Sequence, residues 1–297
     1  MILPTFGNND FQFHYQIPNV TLREGFYNEI MDDWFRLISF NTQHLNYDLV
    51  KMTFRTGGYY RVNLPGGRVS VLAMNSIGYS PKNLPNNQGD AQQLQLEWLE
   101  EQLRSAESTR KFIIANHIYA GLQSKDGSTK YMWNEEYVRE YIAILESFSD
   151  RVIVELSGHE HMADIRYNNG SALYPGSSIY EGLSTTTKSK LVGFVGPSRY
   201  HNMIVHPGVT SFDGQNSAFT TFRLNETSHI VNNVQMTFLS LKETYGWQKP
   251  FPAIETWPWR HLNFTELVGL NEVTAESINS LTARLSADDA LLKKYLI

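Results

Sequence analysis

The stretch RVIVELSGHEH, Arg151 to His161, decides the fold. Its first six residues, Arg151 to Leu156, read as a buried strand, and Gly158-His159-Glu160-His161 follows at the carboxyl end of that strand. Two imidazoles separated by one residue project to the same side of an extended chain. At a rise of roughly 3.3 Å per residue their Cα atoms stand about 7 Å apart. That spacing suits nitrogens bound to two metal ions about 3.5–4 Å apart, as in two-metal hydrolases. A lone His-x-His is a weak signal, since such pairs also occur as surface polar residues. Its weight comes from its companions.

The first companion is Asn116-His117, at the end of the apolar run Lys111 to Ala115. The second is Gly7-Asn8-Asn9-Asp10, a Gly-Asn turn near the amino terminus. Each has a plain reading of its own. His117 suits a hydrogen-bonded loop or core histidine, and Gly and Asn form turns because both tolerate positive φ. Taken together, the three motifs fall on successive strand ends.

The surrounding chain alternates strand and helix. Arg68 to Asn75 is β-branched and apolar, Gly78 to Gly89 is a loop rich in Pro, Asn and Gly, and Asp90 is placed to cap a helix through about Ala106. Leu94, Trp98, Leu99 and Leu103 form one stripe of that helix. Asn134 to Phe148 is a second amphipathic helix, with Val138, Tyr141, Ile142 and Leu145 facing inward. Such alternation predicts a layered α/β architecture with a largely buried sheet. In these folds sites gather at the carboxyl ends of strands, where His117, His159 and His161 fall. Upstream, Glu24 to Phe40 is a predicted helix, and the strand from Gly57 to Val62 pairs with Arg68 to Asn75 across Pro65-Gly66-Gly67. Downstream, Asn202 to Val209 and Ala218 to Asn225 are expected to close the same sheet. Trp247 to Arg260 is rich in Pro and Trp, with Trp247, Trp257 and Trp259 read as packing residues, and Thr274 to Ile297 reads as one or two short helices.

A chain of 297 residues is long enough for a large core. Its net charge of −5, without a dense basic cluster, gives a nucleic-acid partner no electrostatic support. No apolar run approaches the roughly 18–20 residues of a transmembrane segment. Met1 to Phe6 is too short for a secretory signal ahead of the Gly-Asn turn. Cysteine is absent, which excludes disulfides and thiolate ligands. Sequons at Asn19, Asn169, Asn225 and Asn263 suit a secretory route, whereas the lack of cysteine points weakly away from one. Localisation stays open.

These motifs resemble those of the calcineurin-like metallophosphoesterases, and within them the acid sphingomyelinase-like phosphodiesterases. The superfamily's Gly-Asn-His-Asp/Glu, its later strand-end His and its Gly-His-x-His correspond to Gly7-Asn8-Asn9-Asp10, Asn116-His117 and Gly158-His159-Glu160-His161. Subfamily traits are similar too: Gly58-Tyr59-Tyr60, Met74-Asn75-Ser76, Gln95-Leu96-Glu97-Trp98-Leu99, His117-Ile118 and Gly121. So are Pro207 to Ser211, Phe219 to Arg223, and Lys242-Glu243-Thr244-Tyr245-Gly246. The resemblance spans almost the whole chain.

It implies a layered metallophosphoesterase-type β-sandwich flanked by helices, lacking its first βα units. Residues 1–241 would be that domain, incomplete at its amino end, and 242–297 a small helical carboxyl-terminal region. Asn8, His117 and His159 look like ligands of one divalent metal and His161 like a ligand of a second, zinc suiting such donors. The implied activity is hydrolysis of a phosphodiester or phosphomonoester, in a phospholipid, nucleotide or polyphosphate, by metal-activated water attacking phosphorus. A secretory, extracellular or lysosomal/vacuolar location goes with it.

Two departures qualify this. The family's Asp-x-His and Gly-Asp-x-x-Asp motifs, which include the carboxylate that bridges the metals, should precede Gly7. No Asp-x-His occurs in the chain, and Gly89-Asp90 falls in the wrong order. Asn8, His117, His159 and His161 are all neutral, so two dications would lack a protein anion. The expectation is the later two-thirds of an enzyme, or a truncated gene model. The second departure is Asn9, where the family places a substrate-contacting His; Asn can hydrogen-bond substrate but not shuttle a proton. The alternative function is a non-catalytic binding or interaction module that retains the phosphoesterase shell.

Overall fold

Residues 2–37, 46–84, 90–123, 130–168, 201–211, 215–244, 253 and 256–295 are described by a computed structural model. The first half runs α1 (Arg23–Leu37), α2 (Tyr47–Gly57), β1 (Tyr60–Asn63), β2 (Val69–Ala73), α3 (Ala91–Ser105), β3 (Lys111–Ala115), α4 (Glu135–Ser147) and β4 (Val152–Ser157). The second half runs β5 (Asp164–Asn168), β6 (His201–Val205), β7 (Ser217–Leu224), β8 (Val231–Leu239), α5 (Leu241–Thr244), β9 (Trp259–Asn263), α6 (Phe264–Leu267), α7 (Ala275–Ala287) and α8 (Asp289–Tyr295). The predicted helix end at Phe40, the loop tip to Gly89, the Asn169 sequon, and Tyr245, Gly246 and Trp247 lie outside the described residues.

Six strands form one sheet in the order β1-β2-β3-β4-β6-β5. The inner four are parallel, and β1 and β5 lie antiparallel at the two edges. The near-continuous apolar runs of β2 and β3 follow from burial on both faces. Alternation by twos sorts their side chains. Leu72, Phe112, Ile114 and Val152 enter one core with Tyr27, Phe54, Leu96, Leu99 and Tyr141 of the helices α1 to α4. Val71, Ile113, Val154 and Ile204 enter a second core with Val231 and Val234 of β8, Phe264 of α6 and Ile278 and Leu281 of α7. The layered α/β expectation holds.

Three expectations need correction, and one helix is additional. Ala218 to Asn225 does not close the main sheet, because β7 pairs with β8 in a separate three-stranded sheet, β7-β8-β9. Asp90 makes no side-chain cap on α3; its carboxylate instead takes the Arg23 guanidinium at 2.9 Å. Helix α2 fills a stretch with no assigned element, capped by Asn46 and ended by Gly58 at φ +75°. Finally, Gly158 to His161 is not extended. His159 and His161 have φ of +75° and +59°, and the Glu160 amide donates to the Gly158 carbonyl at 2.9 Å, so the chain turns sharply.

The strand ends that carry the motifs are pinned from several sides. Beyond β2, Asn75 donates to the Tyr27 hydroxyl and the Gly57 carbonyl, and Gln95 bonds both the amide and the carbonyl of Asn75. Beyond β3, the Ile118 amide donates to Ser76 Oγ and the Ile118 carbonyl accepts from the Trp133 indole, both at 2.8 Å. The His117 carbonyl accepts the Gly158 amide at 3.0 Å and ties β3's end to β4's.

Candidate metal centre

Three donor atoms from distant parts of the chain converge beyond β3 and β4. Asn8 Oδ1 lies 2.7 Å from His117 Nε2 and 3.0 Å from His159 Nδ1, and the two ring nitrogens are 3.2 Å apart. The sequence separations are 109 and 151 residues for the two Asn8 contacts, so the fold, not local chain geometry, makes the cluster.

The orientation of each group has a physical cause. Asn8 Nδ2 is 2.7 Å from His14 Nε2, and an amide nitrogen can only donate. His14 therefore accepts and turns the Asn8 oxygen toward the imidazoles. His159 Nε2 meets the Tyr15 hydroxyl at 3.0 Å, which leaves Nδ1 facing Asn8 and His117. Lys82 Nζ donates to that hydroxyl at 3.1 Å and stands over the Tyr15 ring, 4.3 Å from its centroid.

Burial pushes the His117 imidazole down to about 4, with the nearby His161 charge adding to the effect. Burial likewise pushes His159 down to about 3, assisted by the charges of His117, Lys82, His161 and His14. Both rings are neutral near pH 7, and a neutral imidazole has a nitrogen lone pair to offer a cation.

His161 stands beside this trio. Its ring packs against Gly208, where an added Cβ would lie 3.3 Å from Cγ, and it lines a cavity of about 520 Å³ between the two sheets. Asn9 is exposed at the rim, its Oδ1 3.4 Å from Asn8 Nδ2. The structure thus gathers Asn8, His117 and His159, with His161 and Asn9 adjacent. Sequence reasoning missed His14, Tyr15 and Lys82, whose spacing carries no motif; the fold alone brings them here.

The donor types suit one divalent ion. Donors each bound at about 2.0–2.2 Å in a tetrahedron sit roughly 3.4 Å from one another, so the observed edges of 2.7, 3.0 and 3.2 Å would have to open slightly around an ion. The fit to two ions fails on charge. Among the described residues no group of three or more His, Cys, Asp and Glu side chains could hold a metal. Asp10, the acid nearest in sequence, turns its carboxylate back to the Gly7 amide.

No family model matches the chain. Human acid sphingomyelinase-like phosphodiesterase 3b is 23% identical over 301 residues, covering 100% of this chain and 59% of the relative. Human cyclic GMP-AMP phosphodiesterase SMPDL3A is 26% identical over 189 residues, covering 62% of this chain and 39% of the relative. The chain thus spans three-fifths or less of the length of these curated relatives. Both relatives are phosphodiesterases by name, and the first match runs the length of the chain. With Asn8, His117 and His159 gathered as described, the chain is thus similar along its whole length to an acid sphingomyelinase-like phosphodiesterase.

Proposed function

We propose that this chain carries part of the active centre of a metal-dependent phosphodiesterase. The observation that supports it most directly is the meeting of Asn8 Oδ1, His117 Nε2 and His159 Nδ1 within 3.2 Å of one another. A divalent cation, zinc by the chemistry of these donors, supplies charge stabilisation for phosphoryl oxygens and lowers the pKa of water. The chain's own residues do the positioning. His14 fixes the Asn8 amide, Tyr15 and Lys82 orient His159, and the Lys82 ammonium offers the positive charge an anionic phosphoester needs. Asn9 is placed to donate a hydrogen bond to substrate, without the means to move a proton.

His161 is assigned to a second ion. Such an ion calls for carboxylates, and among the described residues no cluster supplies them. The substrate class is a phosphoester, since the names of the two relatives point to different phosphodiesters.

Zinc titration by calorimetry, with His117→Ala and His159→Ala as controls, tests the site. Hydrolysis of bis(4-nitrophenyl) phosphate by the full-length protein tests the activity. Zinc binding that both substitutions abolish, with turnover, is the expected result. Absence of both would leave a non-catalytic module, a reading that the all-neutral donor set favours.

A further inference from the structure

We propose that Glu155 is a positioning residue that holds the two histidine-bearing strand ends in register; the proposal rests on reading Asn8, His117 and His159 as a metal site. Glu155 lies on a central parallel strand with no exposed surface. Such a position normally takes an apolar side chain, and a carboxyl is accommodated there only when its oxygens are hydrogen-bonded.

Both oxygens are. Oε1 accepts from Asn116 Nδ2 at 2.7 Å and lies 3.2 Å from Ser157 Oγ; Oε2 accepts from the Tyr141 hydroxyl at 2.9 Å. Ser157 Oγ has one proton, and its shorter contact, 2.6 Å, is to Asn116 Oδ1. The result is a linked set of four side chains from β3's end, β4 and α4. Asn116 directly precedes His117, and Ser157 stands two residues before His159. Backbone bonds run alongside, from the Asn116 amide to the Leu156 carbonyl and from the Gly158 amide to the His117 carbonyl.

An apolar trio packed against Tyr141 would stabilise a core as well or better, because buried polar networks seldom exceed their hydrophobic replacements in stability. What the network adds is a fixed relation between two strand ends, and that relation sets the separation of the imidazoles. Replacing Glu155 by Gln places an amide NH₂ or an amide oxygen where two donors now converge, so one donor loses its partner. The double change Asn116→Asp with Glu155→Gln reverses the polarity of the pair. The amide introduced at position 155 would then donate to the carboxylate introduced at position 116 and accept from Tyr141. Ser157 would donate to that same carboxylate, so every bond is kept.

The test uses the full-length protein, with zinc as probe and NMR of the histidine rings as a metal-free readout. E155Q is expected to weaken zinc binding tenfold or more and to shift or broaden the His117 and His159 ring signals. N116D/E155Q is expected to bring affinity back within about threefold of the parent and to restore the ring signals. If E155Q lowers only the melting temperature, with zinc affinity and ring signals unmoved, the positioning role is overturned. It is equally overturned if the double variant regains its melting temperature but not its affinity. Should E155Q fail to fold, the double variant decides alone. A parent protein that binds no zinc refutes the metal reading instead, and the ring signals then judge Glu155.

Discussion

The Tyr15 hydroxyl lies 3.0 Å from His159 Nε2, and the same oxygen accepts a hydrogen bond from Lys82 Nζ at 3.1 Å. Two residues with no motif between them thus set which nitrogen of a candidate ligand faces the cluster. Partners of this kind, hydrogen-bonded to the far nitrogen of a metal-binding histidine, commonly change metal affinity about 10–100-fold when removed. Tyr15→Phe keeps the edge-on ring contact with His159 at 5.8 Å and loses the hydroxyl. Calorimetric zinc titration is expected to show a loss of that size. Unchanged affinity would reduce Tyr15 to packing.

His14 is exposed and reaches the site through one hydrogen bond to Asn8. His14→Ala frees the Asn8 amide to rotate its nitrogen toward the imidazoles. The expected outcome is zinc binding weakened roughly threefold to tenfold, with stability within about 0.5 kcal/mol of the parent, as for most surface substitutions. Parallel calorimetry and urea denaturation separate the two effects.

Gly58 ends α2 at φ +75°, and a Cβ there would stand 2.6 Å from Phe6 Cε2 and 2.9 Å from Tyr27 Cε1. Gly58→Ala combines left-handed backbone, costing about 1–2 kcal/mol, with overpacking of about 1–3 kcal/mol. A loss of roughly 2–5 kcal/mol in denaturant unfolding is expected. A change below about 1 kcal/mol would mean that the Phe6 ring moves aside freely.

His206 follows β6, and burial pushes its imidazole down to about 4. Its folded pKa is below the unfolded value near 6.5, so the unfolded state binds the proton first as pH falls. The stabilisation is fully present above about pH 6.5 and is lost progressively toward pH 4, at no more than about 1.4 kcal/mol per pH unit. His206→Leu is expected to flatten the stability profile across that window, measured by urea unfolding at about pH 7, 5.5 and 4.5. Parallel profiles for the two proteins would contradict the assignment.

Much of the main sheet could be read from residues alone, because β2, β3 and β4 are short apolar runs followed by turn residues. Helix α2 was hidden because its buried stripe is short. Val50 and Phe54 face inward, while Leu49 and Met52 on the same stretch are 62% and 70% exposed and blur the periodicity. β8 escaped notice for a different reason: its burial repeats every three residues, at Val231, Val234 and Thr237, where a half-buried strand would repeat every two. β5 hides behind polar residues, since Arg166 is buried by pairing with Asp164 at 2.8 Å and lying over the Tyr119 ring. At the site, strand-end logic located His117 and His159, whereas Asn8 sits in a turn that no strand precedes among the described residues. The extended geometry assumed for His159 and His161 failed because spacing says nothing of φ.

The positive φ values of His159 and His161 also bear on how this sequence would drift. Each non-glycine residue in that conformation costs about 1–2 kcal/mol, and glycine or asparagine relieves most of it. A library of variants selected solely for folding should therefore fill positions 159 and 161 with Gly and Asn. A library selected for turnover should keep both histidines and bear the strain. The composition of those two positions after selection is a record of whether the centre is still in use.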